Sequence, residues 1–158
     1  MKITTYKKLT KIQRKLLDEA EKVMGNSYNP YSNFSVGAAI LTQDNKIITG
    51  TNVENAAYGL AICAERVAVS RANAMGYRMY KAIAVMAKGK NFDVKRIAGP
   101  CGSCRQMLYE ASQISKENLE IIMSTTKKDK VVISSINELL PFAFGPKNLG
   151  IDIKKYQK

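Results

Sequence analysis

Three cysteines and not one histidine constrain this chain of 158 residues more than any other feature. Cys101 and Cys104 form the C-x-x-C pair Cys101-Gly102-Ser103-Cys104, and Cys63 stands 38 positions upstream in Cys63-Ala64-Glu65. An odd cysteine count without a secretory leader argues against a disulfide framework. A C-x-x-C alone fits a redox pair, half of a metal site or two buried thiols. With the third cysteine, the count also matches a zinc site with three protein ligands. Such a site keeps its fourth tetrahedral position open, as catalytic rather than structural centres do. The lack of histidine excludes Ser-His, Cys-His and His-metal chemistry within one chain. Any reaction must rest on carboxylates and cysteines.

The zinc reading dictates local structure. Pro100 precedes the pair, and a helical stretch follows from Arg105 to Glu110. Cys101 and Cys104 then lie on the first turn of a helix, three apart and on one face. Cys63 opens a second helical stretch, AERVAVSRANAM. If the three sulfurs meet, two helix N-termini converge, and their free N–H groups and positive dipole ends favour thiolates. Glu65 follows Cys63 by two, where it either complements the helix dipole or serves as the proton shuttle of a metal centre. Arg66 and Arg105 each follow a motif residue directly. They read either as surface ion-pair partners or as cations that draw charge off the thiolates.

The remaining elements frame these motifs. Leu9, Ile12, Leu16, Leu17, Ala20, Val23 and Met24 follow the helical period, and Gly25-Asn26 ends that helix. Tyr28 to Phe34 reads as a polar, aromatic loop. Val36–Leu41 and Lys46–Thr51 read as a hairpin around Gln43-Asp44-Asn45. Further strands are expected near Ala82–Ala87, Leu119–Met123 and Val131–Ile133, and Ser135 to Glu138 is a capping box before a short helix. The order α-β-β-α-β-α-β-β-α predicts an α/β fold: a three-layer α/β/α sandwich with a mixed five-stranded sheet, in one domain spanning 1–158.

Charge and composition narrow the class. With 46% hydrophobic and 24% charged residues, the chain has globular proportions and enough apolar content for a core. No apolar run approaches the length of a membrane span. The start MKITTYKKLTKIQRKLL has no uninterrupted apolar region and no small-residue cleavage site, so a cytoplasmic location is expected. The net charge of +12 is concentrated toward the ends, where residues 1–22 and 127–158 each carry seven basic and three acidic residues. Basic stripes with interleaved aromatics are not evident, so this reads as Lys-rich surface, and no nucleic-acid partner is expected.

The stretches NPYSNFSVGAAILT, TNVENAAYGLAICAERVA, GPCGSCRQML and ELLPFAFGP together resemble the short-chain cytidine deaminases, over about residues 28–145. The zinc-deaminase pattern is a ligand-x-Glu followed by Pro-Cys-x-x-Cys, and it is matched by Cys63-Ala64-Glu65 and Pro100 to Cys104. The resemblance implies hydrolytic deamination of cytidine and deoxycytidine in pyrimidine salvage. It implies one Zn2+ per subunit held by Cys63, Cys101 and Cys104, with Glu65 as the proton shuttle. It places Phe34 against the cytosine ring, Asn52 and Glu54 on the sugar hydroxyls, the backbone near Ala64 on the base, and Arg66 on the thiolates. It further implies a homotetramer in which Tyr58 and Phe144 complete sites across subunit boundaries. Read without the family, Phe34 is equally a core aromatic, Asn52 and Glu54 a solvated strand end, and Tyr58 and Phe144 surface packing. Ala61 and Gly99 depart from the family's usual residues, and the tail from Lys147 to Lys158 lies outside the matched core. Two rivals remain at this level: a deaminase for another aminopyrimidine nucleoside, such as the blasticidin type, and a non-catalytic basic zinc module that binds RNA.

Overall fold

A computed structural model describes residues 1–157. The strands are β1 (Lys2–Thr4), β2 (Phe34–Thr42), β3 (Ile47–Thr51), β4 (Tyr80–Gly89), β5 (Glu120–Ser124) and β6 (Val131–Ser135). The helices are α1 (Lys11–Val23), α2 (Ala64–Ala74), α3 (Gly102–Ser115) and the single turn α4 (Ile136–Leu139). One sheet runs in the order β1-β6-β5-β4-β2-β3, and β4–β5 is its parallel pair. The sheet is mixed and layered as expected, but it has six strands rather than five. The addition is β1, whose Lys2, Ile3 and Thr4 pair antiparallel with Ile133, Val132 and Val131 of β6. Three residues are too short to show a period-two pattern, so tertiary pairing rather than local sequence makes this strand.

Alternation along the central strands builds two cores. Ala38 and Ile40 of β2, with Ile83 and Val85 of β4, face α2 and α3. Ala39 and Leu41, with Ala82, Ala84 and Met86, face Leu16, Leu17 and Ala20 of α1. Helix α1 starts at a capping box, in which the Gln13 N–H donates to Thr10 Oγ1 and the Thr10 N–H donates to Gln13 Oε1. Ile12, one of the periodic positions, is exposed on its first turn. The capping box at Ser135 and Glu138 forms as read from the sequence. No helix among the described residues is long and apolar enough to cross a membrane.

Strand direction places the two cysteine-bearing helices. Both β3 and β4 run antiparallel to β2, which lies between them, so they point the same way. Helix α2 follows β3 and α3 follows β4, on the same face of the sheet. Both helices therefore begin at one end of it, outside the carboxyl ends of their strands, where open α/β sheets place their sites. Helix α2 can lie close because Gly50 of β3 has no side chain: a Cβ there would come within 2.6 Å of the Ala64 carbonyl oxygen and would overlap the Ala68 nitrogen.

This contact generates a test. Gly50→Ala forces the helix off the strand and is expected to cost about 1–3 kcal/mol, as overpacking does. A thermal melt should fall by several degrees, and an unchanged Tm would contradict the close approach.

Candidate active site

Cys63 is the N-cap of α2, Cys101 is the N-cap of α3, and Cys104 sits on the first turn of α3. Both caps have extended backbone and no capping hydrogen bond through the side chain. Their carbonyls accept the first helical bonds, from the Val67 and Arg105 N–H groups at 3.1 and 2.9 Å. The sulfurs are thereby left for another partner. The three Sγ atoms lie within 4.8 Å of one another, and Cys101 and Cys104 are 3.5 Å apart. All three are free thiols.

That spacing suits one tetrahedral ion. Zinc–sulfur bonds of about 2.3 Å place sulfurs about 3.8 Å apart. The donor set is three soft sulfurs at two helix N-termini, which favour thiolates and suit zinc. The cysteine pair and the distant third cysteine thus form one cluster, and neither a disulfide nor scattered thiols describe them.

The thiols already bias one another. A hydrogen bond from Cys104 holds the Cys63 thiol down to about 6, against opposing burial and the Glu65 charge, and the Arg66 cation acts in the same direction. The same hydrogen bond, joined by burial, pushes Cys104 up. Arg66 therefore acts on Cys63 as a nearby positive charge. Arg105 does something else: its Nε donates to the Pro100 carbonyl at 2.8 Å and an Nη donates to the Leu139 carbonyl at 3.0 Å. The planar guanidinium fork matches two carbonyls. It ties the turn before Cys101 to α4 and does not bond the sulfurs.

A cavity of about 480 Å3 opens beside the cluster, a size that admits a small ligand. Cys63, Ala64, Glu65 and Cys101 line it together with Phe34, Val85, Asn52 and Glu54. Glu65 is only 4% exposed, and burial pushes its carboxyl above the usual carboxylate range. A carboxyl held this way exchanges protons nearer neutral pH, as a general acid–base group must.

Asn52 and Glu54 are already partly engaged. The Asn52 Nδ2 donates to the Phe34 carbonyl at 2.9 Å, and its Oδ1 accepts from the Val36 N–H at 2.8 Å. An amide offers two donors and two acceptor lone pairs, so one of each remains. Glu54 Oε2 accepts from the Tyr31 and Ser32 N–H groups at 2.9 and 3.2 Å. Hydrogen bonding to Ser32, first through its side chain, holds the Glu54 carboxyl below its ordinary range. These residues shape the cavity lining as well as presenting polar atoms.

Tyr58 lies outside this cavity. It is 75% exposed, packs its ring edge-on to Tyr31, and lines an adjoining depression that shares Ser32, Glu54 and Ala61 with the cavity. Phe144 is 59% exposed and does not line the cavity within one chain, and its carbonyl accepts from Gln106 Nε2. Ser32, Val36, Val53, Ala61, Ile62, Val85, Ala98 and Gly99 also line the cavity, and no motif assigns them a site role. Val36 was findable, because it shares the strand face of Phe34. The others have small or apolar side chains whose place depends on the fold.

Residues 10–119 match the family profile described as the cytidine and deoxycytidylate deaminase zinc-binding region. The cytidine deaminase of Halalkalibacterium halodurans is 42% identical over 129 residues, covering 82% of this chain and 91% of that protein. The probable cytidine deaminase of Dictyostelium discoideum is 40% identical over 135 residues, covering 85% of each. Among solved structures, cytidine deaminase from Burkholderia pseudomallei superposes with a TM-score of 0.75 at 41% identity, over 86% of this chain and all of that one. The cytidine deaminase from Mycobacterium tuberculosis gives 0.67 at 34% identity, over 83% and 95%.

Thiol chemistry sets the metal test. Binding displaces protons from the cysteines, so apparent zinc affinity should fall as pH falls, by about tenfold or more per unit below neutrality. A competition titration against a chromogenic chelator reads this directly, and Cys101→Ala should lose the metal. PH-independent affinity, or a full zinc complement in that variant, would contradict the ligand assignment.

Proposed function

The chain belongs to the cytidine and deoxycytidylate deaminase family, and on that premise we propose that it hydrolyses cytidine and deoxycytidine to uridine and deoxyuridine with release of ammonia, a step of pyrimidine salvage. The observation that carries this reading is the buried Glu65 carboxyl, which lines a cavity of about 480 Å3 together with Cys63 and Cys101, two of the three thiols spaced for one ion.

Cys63, Cys101 and Cys104 would hold the zinc. When bound, zinc supplies Lewis acidity that makes water nucleophilic near neutral pH. Glu65 accepts a proton from the attacking water, delivers it to N3 of the ring, and then assists departure of the C4 amine as ammonia. One water and one nucleoside give one deaminated nucleoside and one ammonia. Burial supports this role, because the raised carboxyl both takes and returns a proton. Phe34 packs against the base, and the backbone at Ala64 meets its polar edge. The spare donor and acceptor of Asn52, with Glu54, take the sugar hydroxyls. Arg66 offsets negative charge at Cys63.

We read residues 1–158 as one domain, supported by a single sheet that both core clusters share. We also read the protein as a cytoplasmic homotetramer in which the exposed rings of Tyr58 and Phe144 complete neighbouring sites. Their exposure, with the fully exposed Phe142 nearby in sequence, supports a partner surface. Sedimentation should give four copies per particle, and a fully active monomer would refute the shared site.

Glu65→Ala is the sharpest chemical test. It removes the proton carrier and leaves the sulfurs in place, so zinc content should persist while turnover falls roughly a thousandfold or more. Retained turnover, or loss of zinc, would overturn the assignment of Glu65.

A further inference from the structure

Phe34 opens β2, and its backbone is held from two sides. Its N–H donates to Ser32 Oγ at 3.0 Å, and its carbonyl accepts from Asn52 Nδ2. Its ring has no brace in the sheet itself, because its cross-strand partner on β4 is Gly89. A glycine beside an aromatic residue leaves one flank of the ring open.

Phe92 fills that flank from the loop after β4. Its ring stacks on Phe34 with centroids 6.3 Å apart and planes 28° from parallel. It also lies over Gly89 so closely that a Cβ there would overlap it. The backbone fixes this arrangement: the Gly89 N–H donates to the Phe92 carbonyl at 3.1 Å, and the Lys90 N–H donates to the Asn33 carbonyl at 2.9 Å. Farther along, Thr126 Oγ1 accepts from the Val94 N–H at 2.8 Å, and the Thr126 N–H donates to the Val94 carbonyl at 3.2 Å. The loop then returns Ala98 and Gly99 to the cavity wall. Phe92 itself is 59% exposed, belongs to neither core cluster and does not line the cavity. A large aromatic ring in that place contributes little to the core, and the stacking contact explains its position.

We propose that Phe92 is a positioning residue that braces the Phe34 ring across Gly89 and thereby sets the width of the slot that takes the pyrimidine base. The identity of the base rests on the functional reading above, whereas the brace rests on geometry alone. Phe92 touches no substrate and acts through Phe34.

The experiment compares F92A, F92Y, G89A and the double variant F92A/G89A. The interaction in an aromatic pair of this kind is equivalent to about three- to tenfold in an equilibrium constant, so KM for cytidine should rise by up to that factor in F92A while kcat stays within about twofold. F92Y keeps a ring and should restore KM. G89A should raise KM by pushing the ring aside, and it should add nothing in the F92A background, as coupled neighbours behave. An unchanged KM in F92A, a defect in F92Y equal to that of F92A, or multiplicative effects in the double variant would overturn the proposal. If F92A does not fold, an unchanged KM in G89A overturns it equally. If the unaltered protein turns over no cytidine, the functional reading fails, and the brace is read without substrate from the Phe34 ring-proton resonances. Those should move in F92A and not in F92Y, and resonances unmoved in F92A would overturn the brace.

Discussion

Three cysteine sulfurs lie within 4.8 Å of one another, and once all are thiolates they repel and stay together only where positive charge meets them. A divalent ion leaves one net negative charge on the cluster. Each helix N-terminus presents roughly +0.5 of a charge, so two of them match that remainder. Arg66 adds a whole cation close by. This balance demands two helices starting at one point, and much of the architecture serves that demand. The shared direction of β3 and β4 brings the helix starts to one end of the sheet. Gly50 lets α2 lie against β3, and Arg105 fixes the turn before Cys101 by bonding two carbonyls.

The lining of the cavity follows a second economy. Asn52 and Glu54 each bond the backbone of the segment from Tyr31 to Val36, which carries Phe34. Residues that line the cavity with polar atoms also set the position of its aromatic residue. Substituting either one removes a hydrogen bond that shapes this segment. Glu65 differs. It lines the cavity from the first turn of α2, and its burial comes from its place at the helix start.

The cysteine cluster and the acid beside it are the most legible part of the chain. Cysteines are few, their spacing is distinctive, and Glu65 is tied to Cys63 by two positions, so the cluster and its acid could be read before the fold. The α/β layering followed from element order and from alternation in β2 and β4. What escaped was set by distant pairing. Strand β1 exists because β6 offers it an edge, and its three residues carry no period of their own. Arg105 next to a cysteine pointed toward sulfur, yet two carbonyls that only the folded chain brings together claim its guanidinium. Asn52 could be read as a polar strand end, but not as a clamp on β2. Phe92 lies in a loop with no motif, and its stacking on Phe34 depends on a glycine across the sheet.

The most direct measurement is the ultraviolet absorbance of cytidine mixed with purified protein, followed before and after a zinc chelator and again after zinc is restored. Conversion to uridine should stop with the chelator and resume with zinc. Conversion that ignores the chelator, or no conversion by protein shown to carry one zinc per chain, would contradict the zinc-deaminase reading.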